Sequence, residues 1–367
     1  MRILYFSRDY TSHDHRFLAG LAHTEHDVYY LRLEDASGLE ARPLPDGITP
    51  VSWGGDHRWA GAQAWRIHEI LLELQPDIIH AGPVQLCAFP AALAHSLPLV
   101  TMSWGSDILM DARQGAGRWK ARYALKRSAV FLCDCDAVRT RAIELGMPDE
   151  RIVVFPWGVD LDHFSPGNGR EMRQALGWEE QFVVLSSRSF EPIYGVDTLV
   201  RGWIDAARAV DRMRLLLLGT GSQEAEIRGL LEQAGMLERV HFAGQVGYAD
   251  LPGYLQAADL YVSASHSDGS SISLLEAMAC GLPALVSDIP GNREWVAPQE
   301  NGWWFPDGDE GMLALALQRA EDPDAGLSRL GRNSRAAAEE RADWRRNFQC
   351  MLEAYQLAKA SQSGGVI

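Results

Sequence analysis

Short apolar runs alternate with amphipathic helical stretches along nearly the whole chain, and no other feature narrows the fold as far. Runs of this kind suit strands buried on both faces. Strands of that sort lie parallel, and parallel neighbours need a crossover, usually a helix, between them. Strands are predicted at Ile3–Phe6, Val28–Leu33, Val51–Trp53, Ile78–Ala81, Leu99–Ser103, Val130–Cys133 and Ile152–Phe155. After a turn-rich stretch, Ser165–Gly169, the alternation restarts at Phe182–Ser186, Leu215–Leu218, Val240–Phe242, Leu260–Val262 and Ala284–Val286. One of the intervening helices reads AQAWRIHEILLEL, with Trp65, Ile67, Ile70, Leu71 and Leu74 expected on a single side. The expected fold class is α/β, two doubly wound Rossmann-like domains, 1–165 and 166–342. Ligands of such sheets bind at the carboxyl ends of the strands, so a cleft between the domains is the expected site.

Bulk properties narrow the function. The 367 residues suffice for two domains with separate cores. A net charge of −15 argues against a nucleic-acid partner. Five cysteines in so long a chain suggest no disulfide framework, and Cys133 and Cys135 lack a second pair at zinc spacing. No apolar run approaches the ~18 residues of a membrane span, and Met1-Arg2 leads straight into a strand, so a cytoplasmic location is expected. Neither SRDYTSHDHRF after the first strand nor GTGSQE completes a dinucleotide loop, and G-K-[ST] is absent.

Within SDGSSISLLEAMACGLP (267–283), Asp268-Gly269 is a turn pair, and a helix starting near Ser271–Ser273 would run to Cys280 and stop at Gly281. The N–H groups at that start favour an anion, commonly a phosphate. The same letters admit a second reading, in which Ser273 and Glu276 form a capping box and Asp268 is a surface turn residue.

HSDGSSISLLEAMACGLPALVSD (266–288) resembles the E-x7-E segment of the retaining glycosyltransferases of family 4, with Asp268 at the first acidic position. FPWGVDLDHFSP (155–166), SRSFEPIYGVDTLV (187–200), LLLLGTGSQE (215–224) and DWRRNF near the carboxyl end are similar to other family segments, in family order. The resemblance implies the GT-B fold, an acceptor-binding first domain, a nucleotide-sugar-binding second domain, and a final helix of about 343–361 packing back onto the first. It implies a nucleotide-diphosphate sugar, with uridine or guanosine as base, as donor substrate, no cofactor and no metal. Glu276 would accept the ribose hydroxyls. The backbone of Gly269, Ser270, Ser271 and Ile272 would hold the diphosphate, with Gly219 and Val246 also on the donor side. Asp268 would bind the sugar ring, and Arg188 would stabilise charge on the leaving diphosphate. Arg188 has its own alternative, a surface pair with Glu191.

Two departures from the family pattern stand out. Tyr194 occupies a position where relatives commonly carry Lys, and Trp104 one where many carry His. Acceptor-side candidates are His13, His80, Trp104 and Asp107; each histidine serves equally well as a structural residue. The run Arg113–Arg127 holds six basic residues and no acid, which suits either a solvated helix or one lying on an anionic membrane at the inner face. The expected activity is transfer of a hexose-type sugar, with retention, to a hydroxyl of a glycan or lipid-linked acceptor. Two rivals remain: an isomerase like the nucleotide-sugar 2-epimerases, and a non-catalytic nucleotide-sugar-binding relative.

Overall fold

The computed structural model describes residues 1–34, 40, 42–54, 59–94 and 97–363. Met1–Pro156 with the chain from Arg345 onward forms one compact unit, and Trp157–Trp344 forms the other. The boundary thus falls ahead of 165/166. Phe164 is the reason: it is buried in the second unit's core, and its carbonyl accepts a hydrogen bond from Arg335 Nη1 at 2.7 Å. His163 stacks on Tyr248 with ring centroids 4.2 Å apart, so the turn-rich stretch that follows belongs to the second unit.

The first unit holds a seven-stranded sheet: β1 (Arg2–Ser7), β2 (Asp27–Arg32), β3 (Ile48–Val51), β4 (Ile78–Gly82), β5 (Leu99–Met102), β6 (Val130–Cys133) and β7 (Ile152–Val154). Every pairing is parallel, in the order β3-β2-β1-β4-β5-β6-β7. Leu4 and Phe6 of β1 enter one core layer with helices Ala60–Leu74, Phe89–Ala94, Gly115–Arg127 and Asp136–Glu144. Tyr5 belongs to the alternate set, because successive strand residues point to opposite faces. It meets His80 at 4.6 Å between ring centroids, and His80 in turn meets Tyr355 of the last helix, Trp344–Ser363, at 5.6 Å. Trp65 does not share the buried side of its helix. Ile67, Ile70 and Leu71 are buried, whereas Trp65 is largely exposed.

The second unit holds six parallel strands: β8 (Phe182–Ser186), β9 (Met213–Leu218), β10 (Val240–Gly244), β11 (Leu260–Ser263), β12 (Ala284–Ser287) and β13 (Gly302–Phe305), in the order β10-β9-β8-β11-β12-β13. Alternation is clear here: Phe182 and Val184 enter one core layer, Val183 and Leu185 the other. Strands β8, β11 and β12 are covered on both faces, which is why each reads as an apolar run closed by a serine. β13 went unpredicted because it is the four-residue GWWF set among turn formers. Its glycine is needed, since a Cβ on Gly302 would lie 2.0 Å from the Ala284 carbonyl oxygen of β12.

Candidate functional site

In the second sheet the strand order reverses between β8 and β11, and a doubly wound sheet opens a crevice at such a point. Arg188 leaves the carboxyl end of β8, and the elbow Asp268–Ser271 leaves the carboxyl end of β11 and opens helix Ile272–Ala279. The two arms meet. Arg188 Nη2 lies 2.7 Å from Asp268 Oδ2, and Nη1 donates to Ser271 Oγ at 2.7 Å and to Ser273 Oγ at 3.0 Å. The Tyr194 ring lies 4.0 Å beneath the guanidinium carbon.

Burial shapes the charges here. Desolvation raises the Asp268 carboxyl above its ordinary value, against the opposing pull of Arg188 and of hydrogen bonds from Ser271 and the Gly269 N–H. For Arg188, burial works against the charged form, and Asp268, Tyr261, Tyr194 and Glu276 together more than offset it. Arg188 therefore faces Asp268, and Glu191 instead accepts from Ser222. The pair at 2.7 Å is off-line for a hydrogen bond, so Arg188 Nε and Asp268 Oδ2 stay buried without hydrogen-bond partners, as do the hydroxyls of Ser186 and Ser187 at the end of β8. Buried polar groups normally find partners, so these four atoms at two adjoining strand ends offer hydrogen-bonding capacity to a polar ligand.

The helix begins at Ser271, which makes no side-chain cap bond, so its first-turn N–H groups face the elbow. Ser273 sits inside the first turn and serves Arg188 and Tyr261, whose hydroxyl is 2.8 Å away. Ser273 and Glu276 therefore form no capping box at the helix start. Glu276 lies one turn in and is buried. Gly281 ends the segment at φ +79°, the left-handed stop.

Other residues hold the elbow in place. Trp295 Nε1 donates to Ser270 Oγ at 3.0 Å, Ser287 Oγ to the Ser265 carbonyl at 2.5 Å, and Asn292 Nδ2 to the Ser287 carbonyl at 2.9 Å. A Cβ on Gly291 would lie 2.5 Å from the carbonyl oxygens of both Asp268 and Gly269. Gly219, at φ +141°, closes on the Arg188 carbonyl, 2.6 Å from where its own Cβ would be. Val246 follows β10 on the same sheet edge, two strands away from β8. Tyr261, Gly291, Asn292 and Trp295 escaped sequence reasoning, and Ser273 was read there only as a helix-start residue. Only Gly291, in a Pro-Gly-Asn turn after a strand, carried a signal.

In the first unit, the His13 and Trp104 rings lie 5.6 Å apart and form one group. Asp107 is different: its Oδ1 accepts from Ser103 Oγ at 2.6 Å and from the N–H groups of Trp104 and Ile108, and its Oδ2 from the Val84 N–H. Buried and satisfied, it folds the loop after β5 and presents no carboxylate to an acceptor. His80 is likewise a core residue. Its Nδ1 lies 2.5 Å from the Tyr355 hydroxyl, and burial pushes its pKa down to about 3. Among the described residues, no three His, Cys, Asp or Glu side chains group as a metal site.

Two family models match. Residues 12–163 match the model described as Glycosyltransferase Family 4, and residues 168–337 the model described as Glycosyl transferases group 1. A curated relative named D-inositol 3-phosphate glycosyltransferase, from Saccharomonospora viridis, is 30% identical over 227 residues, covering 59% of this chain and 52% of the relative. The chain spans about half the length of the curated relatives it matches. Sucrose-phosphate synthase from Thermosynechococcus elongatus superposes with a TM-score of 0.83 at 18% identity over 98% of this chain and all of that one. HepE from Anabaena, solved in complex with UDP-glucose, gives 0.78 at 20% identity over 99% of this chain and 100% of its own. At such identities the likeness is one of fold.

Proposed function

We propose, from the premise that the chain belongs to the family 4, group 1 glycosyltransferases, that it moves a hexose-type sugar from a nucleotide-diphosphate donor to a hydroxyl of a glycan or lipid-linked acceptor, with retention at the anomeric carbon. The observation that carries the reading is the convergence of Arg188, Asp268 and a helix start at the reversal point of the second sheet, with four buried polar atoms left unmet. A nucleotide-diphosphate sugar meets those needs, its phosphate oxygens accepting from Arg188 Nε and the Ser186 and Ser187 hydroxyls and a sugar hydroxyl donating to Asp268 Oδ2. Its oxygens accept from Arg188 and from the N–H groups of Gly269 to Ile272, where the helix dipole favours negative charge. Glu276, a carboxyl group one turn on, suits the vicinal ribose diol, and Gly219 and Val246 flank the base. Asp268 takes the sugar hydroxyls.

In the reaction the bond between the anomeric carbon and the diphosphate oxygen breaks while the acceptor oxygen bonds to that carbon on the same face. The acceptor proton passes to the departing phosphate oxygen. Negative charge grows on the diphosphate, and a preorganised donor such as Arg188 acts on that charge, an effect worth ~3–4 kcal/mol for a single well-placed group. His13 and Trp104 supply the acceptor side of the first unit. HepE's complex with UDP-glucose and the glycosyltransferase name of the curated relatives support a nucleotide-sugar donor.

The test is a thermal-shift screen of nucleotide sugars on the wild type, Glu276→Ala and Arg188→Ala. One uridine or guanosine donor is expected to stabilise the wild type, and both substitutions to abolish most of the shift. Equal shifts in all three proteins contradict the site. Product formed with the stabilising donor should carry the donor's anomeric configuration by proton NMR; donor binding without product under any acceptor points to the non-catalytic relative.

A further inference from the structure

Three neighbouring helices on one face of the first unit's sheet turn large apolar side chains outward. Helix Ala60–Leu74 buries Ala64, Ile67, Ile70 and Leu71. Trp65 and Leu72, seven residues apart and so on one stripe, are 60% and 66% exposed, and Trp59 at the helix start is 70% exposed. That helix packs on Phe89–Ala94, where Leu93 and the preceding Leu86 are again exposed and again seven apart. The next helix, Gly115–Arg127, buries Ala121, Ala124 and Leu125 and leaves Trp119 58% exposed. The Phe89–Ala94 helix packs in turn on Gly115–Arg127, where Trp119 rests edge-on against the buried Phe89 ring at 5.3 Å, so the exposed side chains sit on neighbouring helices. Folded monomers seldom gather so many exposed large apolar side chains on one set of neighbouring helices without a use.

Charge identifies the use. Around Trp119 the stripe Arg118, Arg122, Lys126 is exposed, and residues 113–127 hold six basic groups and no acid in a chain of net charge −15. On helix Ala60–Leu74 the acids are Glu69, ion-paired with Arg66 at 3.3 Å, and Glu73. We propose that this face docks on an anionic lipid surface, with Trp59, Trp65 and Trp119 at headgroup depth and the cations of 113–127 on lipid phosphates. Tryptophan is the side chain that settles at a membrane interface, and basic residues beside it add attraction to anionic lipid. No helix among the described residues is long and apolar enough to cross a bilayer, so the contact is peripheral. A second copy of the chain fits poorly, because a twofold contact through this face would set one basic helix against its own copy. Docking needs only this surface and is independent of the donor reading; where both hold, the first unit meets a lipid-linked acceptor at the membrane.

The full chain is sedimented with vesicles of phosphatidylcholine alone and of phosphatidylcholine mixed with phosphatidylglycerol. Binding is expected to the anionic vesicles only and to weaken as salt is raised. Arg118→Glu/Arg122→Glu/Lys126→Glu should weaken it on the order of a hundredfold, about fivefold for each basic residue lost. Trp65→Ser/Leu72→Ser/Trp119→Ser should weaken it at least ~tenfold, since their buried area drives insertion. Unchanged thermal midpoints and donor-induced shifts in both variants exclude misfolding. Equal uptake on both vesicle types, no uptake, or variants that bind like the wild type overturn the proposal. So does a concentration-dependent dimer lost in the tryptophan variant, which would give the face to a second copy. Absence of a donor shift in the wild type would count against the donor site and leave docking standing.

Discussion

Arg188 and Asp268 each keep the other's buried charge tolerable, so neither can be removed cleanly. Arg188→Ala strands a buried carboxylate, a change that costs ~3–5 kcal/mol where such pairs have been broken. Arg188→Lys keeps the charge and loses the planar fork, which makes it the better probe of ligand binding. In the first unit, His80 gives a pH signature. Burial holds it at about 3 against an ordinary 6.5, so it is neutral when folded, and the unfolded chain binds the extra proton below 6.5. Its contribution is therefore fully present above 6.5 and is lost as pH falls toward 3, at about 1.4 kcal/mol per pH unit. Asp14 runs the other way. Burial raises it to about 6 from 3.8, so its contribution is full below 3.8 and is lost as pH rises through 6. The wild type alone mixes the two. Thermal midpoints of wild type and His80→Gln, compared at neutral and mildly acidic pH, separate them: the wild type should lose more stability on acidification than the variant. Parallel losses would show that His80 is not held neutral.

The elbow Asp268–Ser271 is held from outside the segment that contains it, and Gly291 is the tightest contact. Gly291→Ala must displace the Asp268 and Gly269 carbonyls, and overpacking of this kind costs ~1–3 kcal/mol. Donor affinity should fall with stability, on the order of tenfold. Gly253 makes a fair control: a Cβ there meets nothing within 4 Å, so Gly253→Ala in helix Leu251–Ala257 should be neutral or stabilising by up to ~1 kcal/mol. Calorimetric unfolding and donor titration of the two variants check the contrast, and equal behaviour would deny Gly291 its role. Elements were legible where the residues repeat a physical constraint. Strands such as Phe182–Ser186 are apolar up to a closing serine because both faces are buried, and helix Ile272–Ala279 was visible from its turn pair and its glycine stop. What local pattern hides is an outward Trp65 on a helix whose neighbours are apolar, and a strand as short as GWWF.

At the scale of the whole chain, strand order decides which residues meet. Arg188 and Asp268 are eighty residues apart, and only the reversal that seats β8 beside β11 joins them; no periodicity in either segment announces that neighbourhood. The resemblance to family 4 enzymes supplied it, whereas position near strand ends suggested His80 and Asp107, which the first unit uses to hold its core and its β5 loop. The division into two units follows the same rule, because contacts of Phe164 rather than the turn-forming letters after it place the boundary. The most direct test of the diphosphate site is calorimetric titration of uridine diphosphate and guanosine diphosphate into the wild type, Arg188→Lys and Glu276→Gln. One nucleotide should bind the wild type, with each substitution weakening it roughly 10–100-fold, as expected for losing a hydrogen bond to a charged group. Equal affinity in all three proteins would contradict a diphosphate held by Arg188 and a ribose held by Glu276.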